Sequence, residues 1–174
     1  MHMRDGVAIL LLALACAGAR AESPDLGRVA TPDEIAAWDI SIDPGGAVLP
    51  AGSGTARAGA AIFAAKCAGC HGETGGGKPN DQLVGGQGTI ATDRPVKTVG
   101  SYWPYATTLF DYIRRAMPFQ ESKALTSDEV YAVSAYILNL NEIVGKDDVL
   151  DAQSLPKVRM PNRDGFIPFP RSPK

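Results

Sequence analysis

The sequence predicts a mostly α fold, with a few short helices joined by long irregular connections and irregular arms at both ends. Three observations carry this reading. Apolar residues recur at helical spacing in only three separated stretches. Between these stretches, 19 glycines and 13 prolines in 174 residues force long irregular connections, since Gly opens backbone conformations closed to other residues and Pro cannot donate to a helix. Finally, Cys67-Ala68-Gly69-Cys70-His71 places two thiols and an imidazole within one turn at the end of the first of those helices.

Taken in chain order, residues 1–21 read as a secretory signal peptide. Arg4 precedes an apolar run from Val7 to Ala17, and Ala19-Arg20-Ala21 forms the cleavage site. The run is shorter than the ~20 residues that cross a bilayer, and Cys16 is discarded with it. Cleavage removes Arg4, Arg20 and Asp5, leaving 15 basic against 18 acidic residues and a formal charge of −3. That balance gives no basic surface for nucleic acid, and no later stretch is apolar enough for a membrane span. The mature protein is expected in the periplasm.

Residues 22–53 form an N-terminal extension in which Thr31-Pro32-Asp33-Glu34 starts a short helix through Trp38. The domain proper covers 54–144. Its first helix runs from Thr55 to Cys67, where Gly59 admits a neighbouring backbone and Phe63 offers a ring toward the last helix near Tyr136. Gly72 to Gly88 is too glycine-rich for regular structure. A second helix spans Ala106–Ala116, with Leu109, Tyr112 and Ile113 on its apolar face. The third starts at the cap Thr126-Ser127-Asp128-Glu129, carries Val130, Val133, Ile137 and Leu140, and ends between Asn139 and Asn141. Residues 145–174 are a C-terminal extension, acidic and then Pro-rich, draped over the domain or presented to a partner.

Counting decides the chemistry of the cysteine motif. After cleavage, Cys67 and Cys70 are the only cysteines and His71 the only histidine. A structural zinc site needs four N or S ligands, and no second ligand pair exists. A redox dithiol belongs at the start of a helix after a buried strand, whereas here an Ala-rich helix precedes the motif. Attachment of one haem c uses every element: two thiols bond its two vinyl groups and the adjacent imidazole ligates the iron. With no second histidine, the sixth ligand is a methionine or is absent. Met117, delivered by the second helix to a turn set by Pro118 and 46 residues beyond His71, is the expected ligand; Met160, in the Pro-punctuated tail, is the alternative. Trp103 and Tyr105 are expected to enclose the haem. Arg94, Lys97, Arg114 and Arg115 lie around that region, either beside a propionate or partner carboxylate or on a solvated face.

GAAIFAAKCAGCHG, YIRRAMPF and LTSDEVYAVSAYILNLN together resemble the class I monohaem cytochrome c domain over roughly residues 54–141. The flanking TPDEIAAWDISIDPGGAVLPAGSG, GGQGTIATDRPVKTVGSYWPYATTLFDYIRRAMPF and SLPKVRMPNRDGFIPFPR are similar to the SoxD-like cytochrome subunits of sulfane and sulfite dehydrogenases. The resemblance implies a class I cytochrome c fold of three to five helices around one covalent haem. It also implies electron acceptance from a molybdenum-cofactor subunit (SoxC-like), with a downstream cytochrome or oxidase taking the electron, and no enzyme activity of the chain alone. A free shuttle, or a haem enzyme or sensor with an open sixth site, are the other functions considered. Two-haem members of the family are longer; this chain has one CxxCH. Many class I domains use a proline carbonyl to accept the histidine Nδ1 hydrogen bond, and here Pro79 stands four residues before Leu83, leaving that acceptor open.

Overall fold

The last long helix organises the domain, and its start follows from four residues. In the computed structural model, which describes residues 26–167, Thr126 sits in extended backbone and its hydroxyl accepts the Glu129 N–H at 3.3 Å. The Glu129 carboxylate accepts the Thr126 N–H at 2.8 Å in return. Two backbone donors that a helix start leaves unpaired are thereby satisfied. That amide, more than any other contact, holds the Glu129 carboxyl below the usual glutamate range. A group with a depressed folded pKa contributes above its unfolded pKa and loses that contribution as pH falls through the folded value. Glu129→Gln should therefore blunt the acid-side loss of stability, as read by denaturant unfolding between pH 7 and 3. Thr126→Ala should cost about 1 kcal/mol at pH 7.

Around this helix the described residues form α1 (Pro32–Trp38), β1 (Ser53–Gly54), α2 (Ala56–Lys66), α3 (Ala68–His71), α4 (Ala106–Ala116), α5 (Ser127–Leu140) and β2 (Leu150–Asp151). Single 3-10 turns lie at Phe119–Glu121 and Leu155–Lys157. The chain divides into two units, Met1–Asp39 and Ile40–Lys174. In the first, α1 has the expected capping box, Thr31 with Glu34, and Arg28 pairs with the same carboxylate. The expected signal peptide, with Cys16, lies outside the described residues, as does the chain beyond Ile167. Among the described residues no helix is long and apolar enough to cross a membrane.

In the second unit α2 crosses α5 at glycine. A Cβ on Gly59 would lie 1.9 Å from the Ala132 carbonyl oxygen, and one on Gly54 2.2 Å from the Ala132 nitrogen. Only two hydrogens there let the backbones meet. One turn on, Phe63 packs its ring against Tyr136 with centroids 5.2 Å apart. Phe110 of α4 meets Tyr131 of α5 at 4.4 Å, and both rings are fully buried.

The expected N-terminal extension, 22–53, is split between the two units. Its residues from Ile40 onward are stitched to the helices by polar contacts that no sequence period reveals. Asp111, buried on α4, accepts the Ile42 N–H at 3.1 Å and the Arg115 guanidinium at 2.6 Å. Thr107 donates to the Pro44 carbonyl at 3.1 Å, and the Tyr131 hydroxyl to that of Pro50 at 3.0 Å. Arg114 reaches the Ile40 carbonyl at 3.4 Å. Both arginines thus have partners inside the fold. The C-terminal arm closes the same core: β2 pairs antiparallel with β1, Ser53 opposite Asp151 and Gly54 opposite Leu150. Leu150, Leu155 and Met160 are buried.

Candidate haem-binding site

The CAGCH motif occupies a break between two helices. At Cys67 the backbone leaves helical geometry (φ −123°, ψ −38°) while its N–H still bonds the Phe63 carbonyl at 2.8 Å. The Cys67 carbonyl then accepts from both Cys70 and His71, at 3.1 and 3.0 Å, and starts the single turn of α3. This folding puts both thiols and the imidazole on adjoining turns. Gly72, at φ +78°, ends α3, a conformation that favours glycine. The loop returns to bond the carbonyls left at the end of α3: the Gly77 N–H reaches His71 at 2.8 Å and the Asn80 N–H reaches Cys70 at 2.9 Å.

The proximal acceptor left open by the sequence is the Asp81 carbonyl, 2.8 Å from His71 Nδ1. A carbonyl oxygen only accepts, so Nδ1 carries the hydrogen and Nε2 keeps the lone pair that binds a metal. No pattern in the sequence marks this acceptor, because it is backbone and any residue supplies it.

A cavity of about 520 Å³ opens beside the motif, within the ~300–1,000 Å³ of cofactor sites. Cys67, Cys70 and His71 line it, as do Leu109 and Ile113 from α4, Met117 just after it, and Val133 and Ile137 from α5. Trp103 and Tyr112 complete an aromatic corner, edge to face with ring centroids 5.7 Å apart. Met117 stands at the end of α4, its N–H bonded to the Ile113 carbonyl at 3.0 Å. Met160 does not line the cavity and is buried in the core at 1% exposure. The geometry therefore gathers Cys67, Cys70, His71, Met117 and Trp103 around one space. Tyr105 is not among the lining residues; the Arg163 guanidinium lies over its ring at 4.7 Å. Lys97 lines the cavity, with Nζ 5.1 Å from the Tyr102 ring centroid, whereas Arg94 does not line it.

Electrostatics weigh against redox dithiol chemistry. Burial pushes the Cys67 thiol up, opposed by Lys66 and reinforced by Cys70, the reverse of the lowered thiol that makes a reactive thiolate. Among the described residues no three His, Cys, Asp or Glu side chains converge to hold a bare metal ion. The lining could hold a flat, largely apolar group carrying a metal: it offers two thiols, an imidazole Nε2 and a thioether between aliphatic and aromatic walls.

The family model described as cytochrome C oxidase, cbb3-type, subunit III, matches residues 54–137. No curated protein sequence matches the chain. Among solved structures it is similar to a chain of the sulfane dehydrogenase SoxCD from Paracoccus pantotrophus, at 44% identity and a TM-score of 0.77, covering 84% of this chain and 73% of that one. The cofactor is haem c, covalently bound. With its fold, its cavity and these likenesses in agreement, the chain belongs to the class I c-type cytochromes, electron-transfer proteins, and resembles the SoxD cytochrome subunit of sulfane dehydrogenase.

Proposed function

We propose that this protein is a periplasmic monohaem cytochrome that passes electrons singly, as the electron-accepting subunit of a molybdenum-dependent dehydrogenase acting on sulfane sulfur or sulfite. The observation that carries the reading is the 44% identity to a chain of SoxCD over 84% of this chain. Haem c supplies reversible one-electron chemistry at iron. The protein's residues determine how it is held. Cys67 and Cys70 would attach its edge, His71 would offer Nε2 while the Asp81 carbonyl holds Nδ1–H, and Met117 would offer its thioether to the metal. With the imidazole and the thioether both committed to the metal, a substrate would find no open position on it. Leu109, Ile113, Trp103 and Tyr112 line the cavity with apolar surface that would shield the bound group from water, and Met ligation with burial would raise its potential. Oxidation of sulfite to sulfate releases two electrons, and oxidation of sulfane sulfur to the sulfonate or sulfate level releases several pairs; a chain with one CxxCH motif would take them singly, each passing on to a downstream cytochrome or oxidase before the next. The chain alone carries no reaction on the sulfur compound.

The test is reduction of the oxidised holo-protein by sulfite or thiosulfate, followed in the visible haem bands, with and without the SoxC-like molybdenum subunit of the same organism. Reduction should require that subunit. Equal rates without it, or no reduction with it, would overturn the partner assignment.

A further inference from the structure

Asn141 is a buried polar residue that the haem site itself does not use. It follows the last residue of α5 and is 3% exposed, yet only one of its side-chain bonds serves the helix end, Nδ2 to the Ile137 carbonyl at 2.9 Å. The others reach more than fifty residues back. Nδ2 donates to the Leu83 carbonyl at 3.2 Å, and Oδ1 accepts the Gly85 N–H at 2.9 Å and Gln87 Nε2 at 3.4 Å. Gln87 Nε2 also approaches the backbone carbonyl of Asn141 at 3.3 Å. The amide lies in a fitted slot: a Cβ on Gly100 would come within 2.0 Å of Oδ1.

The segment it grips leads to the imidazole. Two residues before Leu83 is Asp81, whose carbonyl accepts from His71 Nδ1. On one side of Asp81 the chain is fixed by the Asn80 N–H on the Cys70 carbonyl. On the other, the Leu83 N–H bonds the Gly75 carbonyl at 2.9 Å while the Leu83 carbonyl rests on Asn141. Removing the carboxamide leaves Leu83 C=O and Gly85 N–H without this partner, a penalty that drives the segment to rearrange.

We propose that Asn141 is a positioning residue for the proximal ligand. By fixing residues 83–87 it holds the Asp81 carbonyl on His71 Nδ1–H and so sets how strongly Nε2 donates to the iron. A firm Nδ1–H bond makes the ring more basic and favours ferric iron; a loosened one favours ferrous. The inference rests on His71 as an iron ligand.

The experiment compares holo wild type, Asn141→Ala and Leu155→Ala, the last a buried residue of the C-terminal arm that matches the loss of packing. Asn141→Ala should shift the one-electron equilibrium toward ferrous iron by about tenfold, ~59 mV. The His71 Nδ1 proton, followed by NMR, should exchange with solvent about tenfold faster. Leu155→Ala should move neither. If Asn141→Ala does not fold, Asn141→Asp keeps the size and the Oδ1 acceptor but loses the donor to Leu83, and the same two shifts are expected. Unmoved potential and exchange in the folded variant, or equal shifts in Leu155→Ala, overturn the proposal alone. Absence of imidazole resonances shifted by the iron in the wild type overturns the ligand assignment and the proposal with it.

Discussion

Gly59→Ala will not hold the native crossing of α2 and α5. The added methyl carbon would stand 1.9 Å from the Ala132 oxygen, 2.5 Å from its carbonyl carbon and 2.9 Å from Tyr136 Cβ. Two of these three atoms are helix backbone, which cannot turn aside as a side chain does, so the helices must separate. Separation undoes the Phe63 and Tyr136 contact and the packing of Gly54 on the same residue. Overpacking of flexible surroundings costs ~1–3 kcal/mol; against rigid backbone we expect the upper end or beyond, ~3 kcal/mol or more. Ala exceeds Gly in helix propensity by only ~1 kcal/mol, so the steric term wins. In a domain whose whole stability is ~5–15 kcal/mol, denaturant unfolding of the holo-protein should show a much earlier midpoint. A midpoint equal to or above wild type would refute the packing account.

Met117→Ala should remove the thioether proposed to bind the iron while leaving the haem attached through Cys67 and Cys70. Met117 shares the cavity with His71, and Met160 does not. The far-red charge-transfer band of a methionine-to-iron bond should vanish in Met117→Ala. The potential should fall by on the order of 100 mV, within the ~0.8 V that axial ligands span. Met160→Leu, a volume-conserving change in the core costing under ~1.5 kcal/mol, should keep both band and potential. A wild type without the band, or loss of the band in Met160→Leu instead, would sink the assignment. The vacated position in Met117→Ala should also bind added imidazole, which the wild type resists.

How much of this was legible in the sequence divides by range. Thr126 with Glu129 and Thr31 with Glu34 act within one turn, so their capping boxes could be read directly and are found. The contact of Gly59 and Phe63 with Tyr136 could also be read, since a glycine one turn from a large ring within an apolar helix leaves few other uses for the gap. The path of the glycine-rich loop could not. Gly72, Gly75 and Gly77 all take positive φ, and where such a loop turns is decided by hydrogen bonds to α3 and to Asn141 just beyond α5 rather than by its own side chains. The Asp81 acceptor and the grip of Asn141 both depend on that path. Tyr105 shows the limit of reading a side chain from its neighbours: two residues from Trp103, it lies off the cavity lining, with the Arg163 guanidinium over its ring. Burial of Met160 and the tie between Asp111 and Ile42 are equally nonlocal.

The short ladder of β1 with β2 has a consequence for treating the haem domain as a movable cassette. Because Ser53 faces Asp151, everything from the first core helix to the last is a closed loop whose two ends are clasped. Cutting at 54 and 137, the limits of the family match, would open that clasp, take away Leu150, Leu155 and Met160, and separate the Tyr131 hydroxyl from Pro50. The transferable unit runs instead from about Ile40 to Met160, and grafts onto other proteins should be spliced outside those residues.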